Sequence, residues 1–124
     1  MPIINIQIMQ GHSVEQKTAL LKNMTQAVVD SIAAPLPSVR VVILETPREN
    51  VIVGGELGKD MALATVGLIS GRTEELKAAL VAALANAVEK SIGLSIQNVR
   101  TIILDTPTTD MGVAGGRTAK AAGR

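Results

Sequence analysis

Proline at position 2, directly behind Met1, would become a free secondary amine if that methionine were removed. No other residue type supplies such a base. An α-amino group titrates near 8, roughly two and a half units below lysine, so desolvation or a neighbouring cation brings it close to neutrality. That is where a general base works best. If Met1 stays, the Pro2 nitrogen is a tertiary amide without basicity. His12 is the single histidine, and with no recognisable partner for acid–base work it reads first as an exposed turn residue. Arg40 stands among apolar residues in Val39-Arg40-Val41-Val42-Ile43-Leu44, where a charge is costly unless it is paired. The glycine pairs Gly54-Gly55 and Gly115-Gly116 precede neither Lys-Ser/Thr nor a strong helix start, so they suit a tight hairpin better than a phosphate loop.

Composition narrows what such groups could serve. A chain of 124 residues, 47% of them hydrophobic, fits one domain with its own core. There is no Phe, Tyr or Trp, so the core must be built from Ile, Leu, Val, Ala and Met. Without aromatic platforms, and with a net charge of only +1, nucleic acid is not an expected partner. The absence of cysteine and the lone histidine argue against a disulfide framework and a catalytic metal. Neither a leader-like start nor an apolar run long enough to span a bilayer is evident, so no membrane is expected and a cytoplasmic location is.

The elements that must position Pro2 are written twice. With an offset of 60 residues and no gap, residues 1–57 match residues 61–117 at 18 positions, among them Gly11/Gly71, Lys17/Lys77, Val39-Arg40/Val99-Arg100 and Thr46-Pro47/Thr106-Pro107. Each copy reads as strand, helix, strand and a glycine-bearing tail. Ile3 to Met9 is an apolar strand, and Ser13 with Gln16 three residues on is a capping-box signature for a helix start. Leu20, Met24, Val28 and Ile32 recur every four residues as one buried stripe, and Leu80, Leu84, Val88 and Ile92 repeat it. The first helix should end near Ala33, before Pro35 and Pro37, and the apolar run Val39–Leu44 suits a strand buried on both faces. The fold class is therefore α/β (α+β): two tandem right-handed βαβ units forming one four-stranded sheet, with two helices on one face. The expected division is a single domain, 1–124, with a first repeat 1–57, a linker 58–60, a second repeat 61–117 and a flexible tail 118–124. The sheet face away from the helices is expected to be apolar and uncovered, which calls for a homo-oligomer.

Several of these motifs together resemble 4-oxalocrotonate tautomerase: Met1-Pro2-Ile3, Gly11-His12-Ser13, Glu15-Gln16-Lys17, Ala34-Pro35-Leu36 before Ser38-Val39-Arg40-Val41, and Val53-Gly54-Gly55-Glu56-Leu57. The chain is similar to a fused member of the tautomerase superfamily, with the likeness full over residues 1–59 and weaker to about residue 117. The resemblance implies the tautomerase β-α-β fold, a homotrimer, no cofactor, and an isomerase acting on carboxylate-bearing dienols such as 2-hydroxymuconate in aromatic catabolism. It assigns the base to Pro2 and carboxylate binding and enolate stabilisation to Arg40 and Arg72, a guanidinium being able to do both. Arg72 follows Gly71 where the first copy has His12, so Arg72 is the better match to the family's second arginine. His12, Arg100, Val51 and Met111 are the remaining candidates for substrate binding. Val51 and its duplicate Met111 align with the family's aromatic wall, so the site is expected to be wetter than usual. The second copy begins Met61-Ala62 inside a continuous chain, so each chain can hold one proline base at most. Two alternatives remain: a 3-haloacrylate dehalogenase or hydratase, in which Glu49 or Asp110 would have to activate water, and a non-catalytic trimeric binding module that keeps Met1.

Overall fold

Local signals place the first helix where the sequence puts it. In the computed structural model, which describes all of residues 1–124, the Ser13 hydroxyl accepts from the Gln16 N–H at 3.1 Å and the Gln16 side chain accepts from the Ser13 N–H at 2.9 Å. This reciprocal cap opens α1, Val14–Ile32. Thr73 caps α2, Glu74–Ile92, through its own hydroxyl. The two helices end differently. Gly93 takes the left-handed conformation after α2 without cost, whereas Ala33 adopts it after α1 with φ 54°.

The sheet consists of β1 (Ile3–Met9), β2 (Arg40–Thr46), β5 (Ala62–Ile69) and β6 (Val99–Thr106), ordered β2-β1-β5-β6. Each copy contributes one parallel pair, β1 with β2 and β5 with β6. The copies join along an antiparallel seam in which Ile3 faces Gly67 and Ile8 faces Ala62. Two short hairpins follow the edge strands: β3 (Ile52–Val53) with β4 (Glu56–Leu57), and β7 (Gly112–Val113) with β8 (Arg117–Thr118). Gly54 and Gly55 both have positive φ at the first hairpin's two-residue turn, as a twist-matched hairpin turn requires.

Both helices lie on one face. Ile4, Ile6 and Ile8 of β1 and Ala62, Ala64, Val66 and Leu68 of β5 are buried beneath Leu20, Met24, Val28, Leu80, Leu84 and Val88. Small alanines on β5 stand opposite isoleucines on β1 across the seam, so large and small side chains alternate in an aromatic-free core. The Lys17–Glu45 ion pair ties α1 to β2 at 2.9 Å, and its duplicate Lys77–Asp105 ties α2 to β6.

Two expectations about the sheet need correction. The run Val39–Leu44 does not form a strand buried on both faces, because both helices cover one face of the sheet and leave the other open, where Asn5 of the central β1 is exposed as well. Val41 and Ile43 pack toward the helices, while Val42 and Leu44 are 49% and 46% exposed. The open face is also less apolar than expected. Register places Asn5 and Thr65 between Val42 and Ile102, and Gln7 beside Leu44, so polar central strands are flanked by apolar edges. The segment expected as a flexible tail carries turns: Ala119 is fully buried and donates to the Met111 carbonyl at 2.8 Å, and the Arg124 N–H returns to the Ala119 carbonyl at 2.8 Å.

Candidate functional site

The antiparallel seam decides which residues meet. Because β1 starts beside the end of β5, the Gly71-Arg72-Thr73 turn that leads into α2 lies at the amino-terminal end of β1. Pro2 is buried there, and its carbonyl accepts the Arg40 N–H at 3.0 Å, which brings the start of β2 to the same place. The Met1 amine is held below its ordinary value of 8.0, by burial first, then by the positive charge of Arg72 and then by that of Arg124. Desolvation and nearby cations both disfavour the protonated amine. Arg72 is half-buried and donates from Nη1 to the Ile69 carbonyl at 3.2 Å; the Arg40 guanidinium is exposed and reaches the Pro37 carbonyl at 3.4 Å.

The end of β6 also arrives here. Thr106 pairs with Ile69, and its carbonyl accepts the Ser70 N–H at 2.9 Å, so Asp110, the buried Met111 and the terminal turns follow at the Pro2 end. The backbone bonds from Lys120 to Thr108 and from Ala119 to Met111 fold the tail over this corner. Arg124 thereby joins the charges acting on the terminal amine. Sequence reasoning missed it, because a Gly/Ala-rich tail gives no local sign that Ala119 will be buried.

Pro2, Arg40 and Arg72 are therefore brought to one end of the sheet, with Met111. His12, Val51 and Arg100 are not. Ala62 faces Ile8 and Arg100 is level with Leu63, so these residues gather at the opposite end of the seam, with His12 in the turn after β1 and Val51 beyond β2. A seven-residue strand separates the ends by about 20 Å. The reason is the pseudo-two-fold relation of the copies: an antiparallel seam sends a residue and its duplicate to opposite ends, so a linear alignment cannot collect both at one site. Glu49 goes with Val51 to the far end, and Asp110 goes with Met111 to the Pro2 end.

Cavities divide in the same way. One of about 310 Å³ at the far end is lined by Lys59, Asp60, Met61, Ala62 and Arg100, among others. Another, of about 390 Å³, lies between the helices around Asn23, Ser31 and Ala83. A third, of about 430 Å³, lies along α1 at Leu21 and Thr25, and no cavity of the single chain includes Pro2. No group of three or more His, Cys, Asp or Glu is placed to hold a metal ion. No helix is long and apolar enough to cross a membrane.

Known proteins share this arrangement. A profile of the family described as "Tautomerase enzyme" matches residues 2–61 and again residues 63–121. The 2-hydroxymuconate tautomerase of Stutzerimonas stutzeri is 46% identical over 59 residues, which cover 94% of that protein but 48% of this chain. Among solved structures, "Q0 fused 4-OT wild type symmetric trimer" is 55% identical with a TM-score of 0.97, covering 98% of this chain and 99% of that one. Pt0534, described as inactivated by 2-oxo-3-pentynoate, is 41% identical with a TM-score of 0.96 over the same shares. The chain belongs to the tautomerase family and carries two copies of its domain in one polypeptide, in the manner of the fused 4-OT structures.

Proposed function

We propose that the protein is an enol–keto tautomerase of 2-hydroxymuconate-like dienols, working as a homotrimer with Pro2 as the base once Met1 is removed. The neutral Pro2 nitrogen takes the proton of the 2-hydroxyl group. Electrons move through the diene, and the proton returns to a distal carbon, leaving the conjugated ketone. Arg72 and Arg40 pair with the carboxylates and stabilise the negative charge that builds on the enolate oxygen. The observation that carries this reading is the lowered affinity of the buried amino terminus for its proton beside Arg72. A Pro2 amine would stand at the same end of the sheet near the same cations, which act on its proton affinity in the same direction.

The trimer is supported by the half-exposed Val42, Leu44, Ile102 and Leu104 on the helix-free face, and by the trimeric description of a closely similar fold. Removing Met1 would both free the amine and clear space beside it, where the single chain has no cavity. The test is the ultraviolet decay of 2-hydroxymuconate with mass-verified, Met1-free protein beside Pro2→Ala. Proline-dependent ketonisation is expected; equal rates in the two proteins would remove Pro2 as the base.

One observation favours a second reading. Asp110 lies at the Pro2 end while Glu49 does not, so Asp110 is the carboxylate available to activate water in a 3-haloacrylate dehalogenase or hydratase. It is exposed and accepts from Thr109 Oγ1 at 2.9 Å. Halide release from 3-chloroacrylate that is lost in Asp110→Asn would establish this reading; no release at high enzyme concentration would dismiss it.

A further inference from the structure

The end of the sheet that cannot have a proline amine nevertheless has a built cavity. Its volume of about 310 Å³ falls at the lower end of the roughly 300–1,000 Å³ common for small-molecule sites. Two cations line it, Lys59 and Arg100. Neither is paired with a carboxylate, since the chain's only ion pairs are Lys17–Glu45 and Lys77–Asp105. Arg100 spends Nη1 on the Gln97 carbonyl at 2.8 Å and the Val99 carbonyl at 3.3 Å, which fixes the guanidinium and leaves its other N–H donors unbonded. Asp60 lines the same space outside ion-pair range of both cations, so the walls carry two positive charges against one negative.

We propose that this second cavity is a binding site for small dicarboxylates that holds them without reaction. Ala62 stands where Pro2 stands in the other copy, and its nitrogen is a backbone amide within a strand. An amide nitrogen takes no proton near neutral pH, so a ligand held by Arg100 and Lys59 meets charge complementarity and no base. Each chain then carries two carboxylate sites of different kinds, one reactive and one inert, and compounds of the substrate class occupy both. The inert site does not depend on Pro2 being the base, so its test stands apart from the catalytic one.

The five methionines supply the probe, because Met61 lines this cavity and Met111 marks the opposite end. The full-length protein, labelled with ¹³C at the methionine methyls, is titrated with adipate, an unreactive six-carbon dicarboxylate, and in parallel with neutral adipamide. The Met61 signal is expected to move saturably with adipate and not with adipamide, and to do so equally in Pro2→Ala and in Arg72→Ala. Arg100→Ala and Lys59→Ala, each checked for an unchanged circular dichroism spectrum, are expected to weaken that response by about tenfold or more. Lys59→Ala should leave turnover of 2-hydroxymuconate unchanged. A Met61 signal that stays still at tens of millimolar adipate would overturn the proposal. So would an equal response to adipamide, a response indifferent to both Arg100→Ala and Lys59→Ala, or one abolished by Arg72→Ala.

Discussion

The two ends of the central seam come from one repeated pattern and differ in the group that the proposed mechanism uses for proton transfer. At one end Pro2 lies buried with Arg40, Arg72 and the docked tail around it. At the other, Ala62 and Arg100 border a cavity with Lys59, and the turn residue is a histidine. Arginine in place of histidine in the turn beside a terminal amine changes more than binding, because a permanent charge there disfavours the protonated base. Duplication fixed which copy could keep a base, since only one of the two strand starts can be a chain terminus. In the proposed mechanism the second copy supplies Arg72 to the site at Pro2, where Met111 and the terminal turns also lie.

The largest expected effect comes from making the ends alike in base chemistry. A preparation that retains Met1, whose Pro2 nitrogen is then an amide like that of Ala62, should lower kcat/KM for 2-hydroxymuconate by about 10²–10⁴-fold, the usual worth of a positioned general base, and Met1-free Pro2→Ala, which keeps a primary amine at the same place, should lose less. Intact mass, measured beside the rates, assigns the loss to the missing secondary amine. Activity undiminished in a chain shown to keep Met1 would break the contrast between the ends.

Arg72→His, which copies the first repeat's turn into the second, sharpens it further. It removes a permanent positive charge, so the terminal amine's pKa should rise toward the ordinary α-amino value. The acidic limb of the kcat/KM profile should then move to higher pH, because a larger fraction of the base is protonated at any given pH. Loss of a carboxylate partner should also lower kcat/KM by roughly 10–100-fold, as expected for an ion pair to a buried ligand group. A limb unmoved by the substitution would mean that Arg72 does not act on the base.

Smaller differences between the copies are visible in stability. Ala33 holds the left-handed position that Gly93 holds in the second copy, so Ala33→Gly should raise stability by about 1 kcal/mol in denaturant unfolding. Between the helices, Asn23 Nδ2 donates to Ser91 Oγ at 2.9 Å, and Ser91 donates in turn to the Ala87 carbonyl at 2.6 Å. The pseudo-two-fold mate of that pair is Ala83 with Ser31, whose hydroxyl is buried and unpartnered beside a cavity. Ala83→Asn should therefore gain roughly 0.5–1 kcal/mol by completing the second bond. No change in the unfolding midpoint would show that solvent already satisfies Ser31.

Much of this was legible in the chain. The capping pair Ser13 and Gln16, the stripe Leu20-Met24-Val28-Ile32 and its repeat, and the twin glycine turns act within a few residues, so sequence alone locates them. The two-copy tautomerase fold was legible too, from motifs that are each weak and together specific. The direction of the seam was less so. Whether β1 and β5 run antiparallel is settled by a tertiary pairing between strands about sixty residues apart, and that choice sent His12, Val51 and Arg100 away from Pro2. The exposure of Val42 and Leu44 follows from both helices covering the other face of the sheet, a property of the assembled layers that an apolar run cannot encode. Arg124 and the docking of Ala119 depend on the space beside Met111, which exists only once the sheet is assembled.

The most direct test is to titrate the base itself. In Met1-free protein with ¹⁵N-labelled proline, only the terminal one of the five proline nitrogens can take a proton near neutral pH. Its midpoint should fall below the ordinary α-amine value, coincide with the acidic limb of kcat/KM for 2-hydroxymuconate, and move upward together with that limb in Arg72→His. A proline nitrogen that titrates at or above the ordinary value, or an activity limb that does not follow it, would contradict the assignment of Pro2 as the catalytic base.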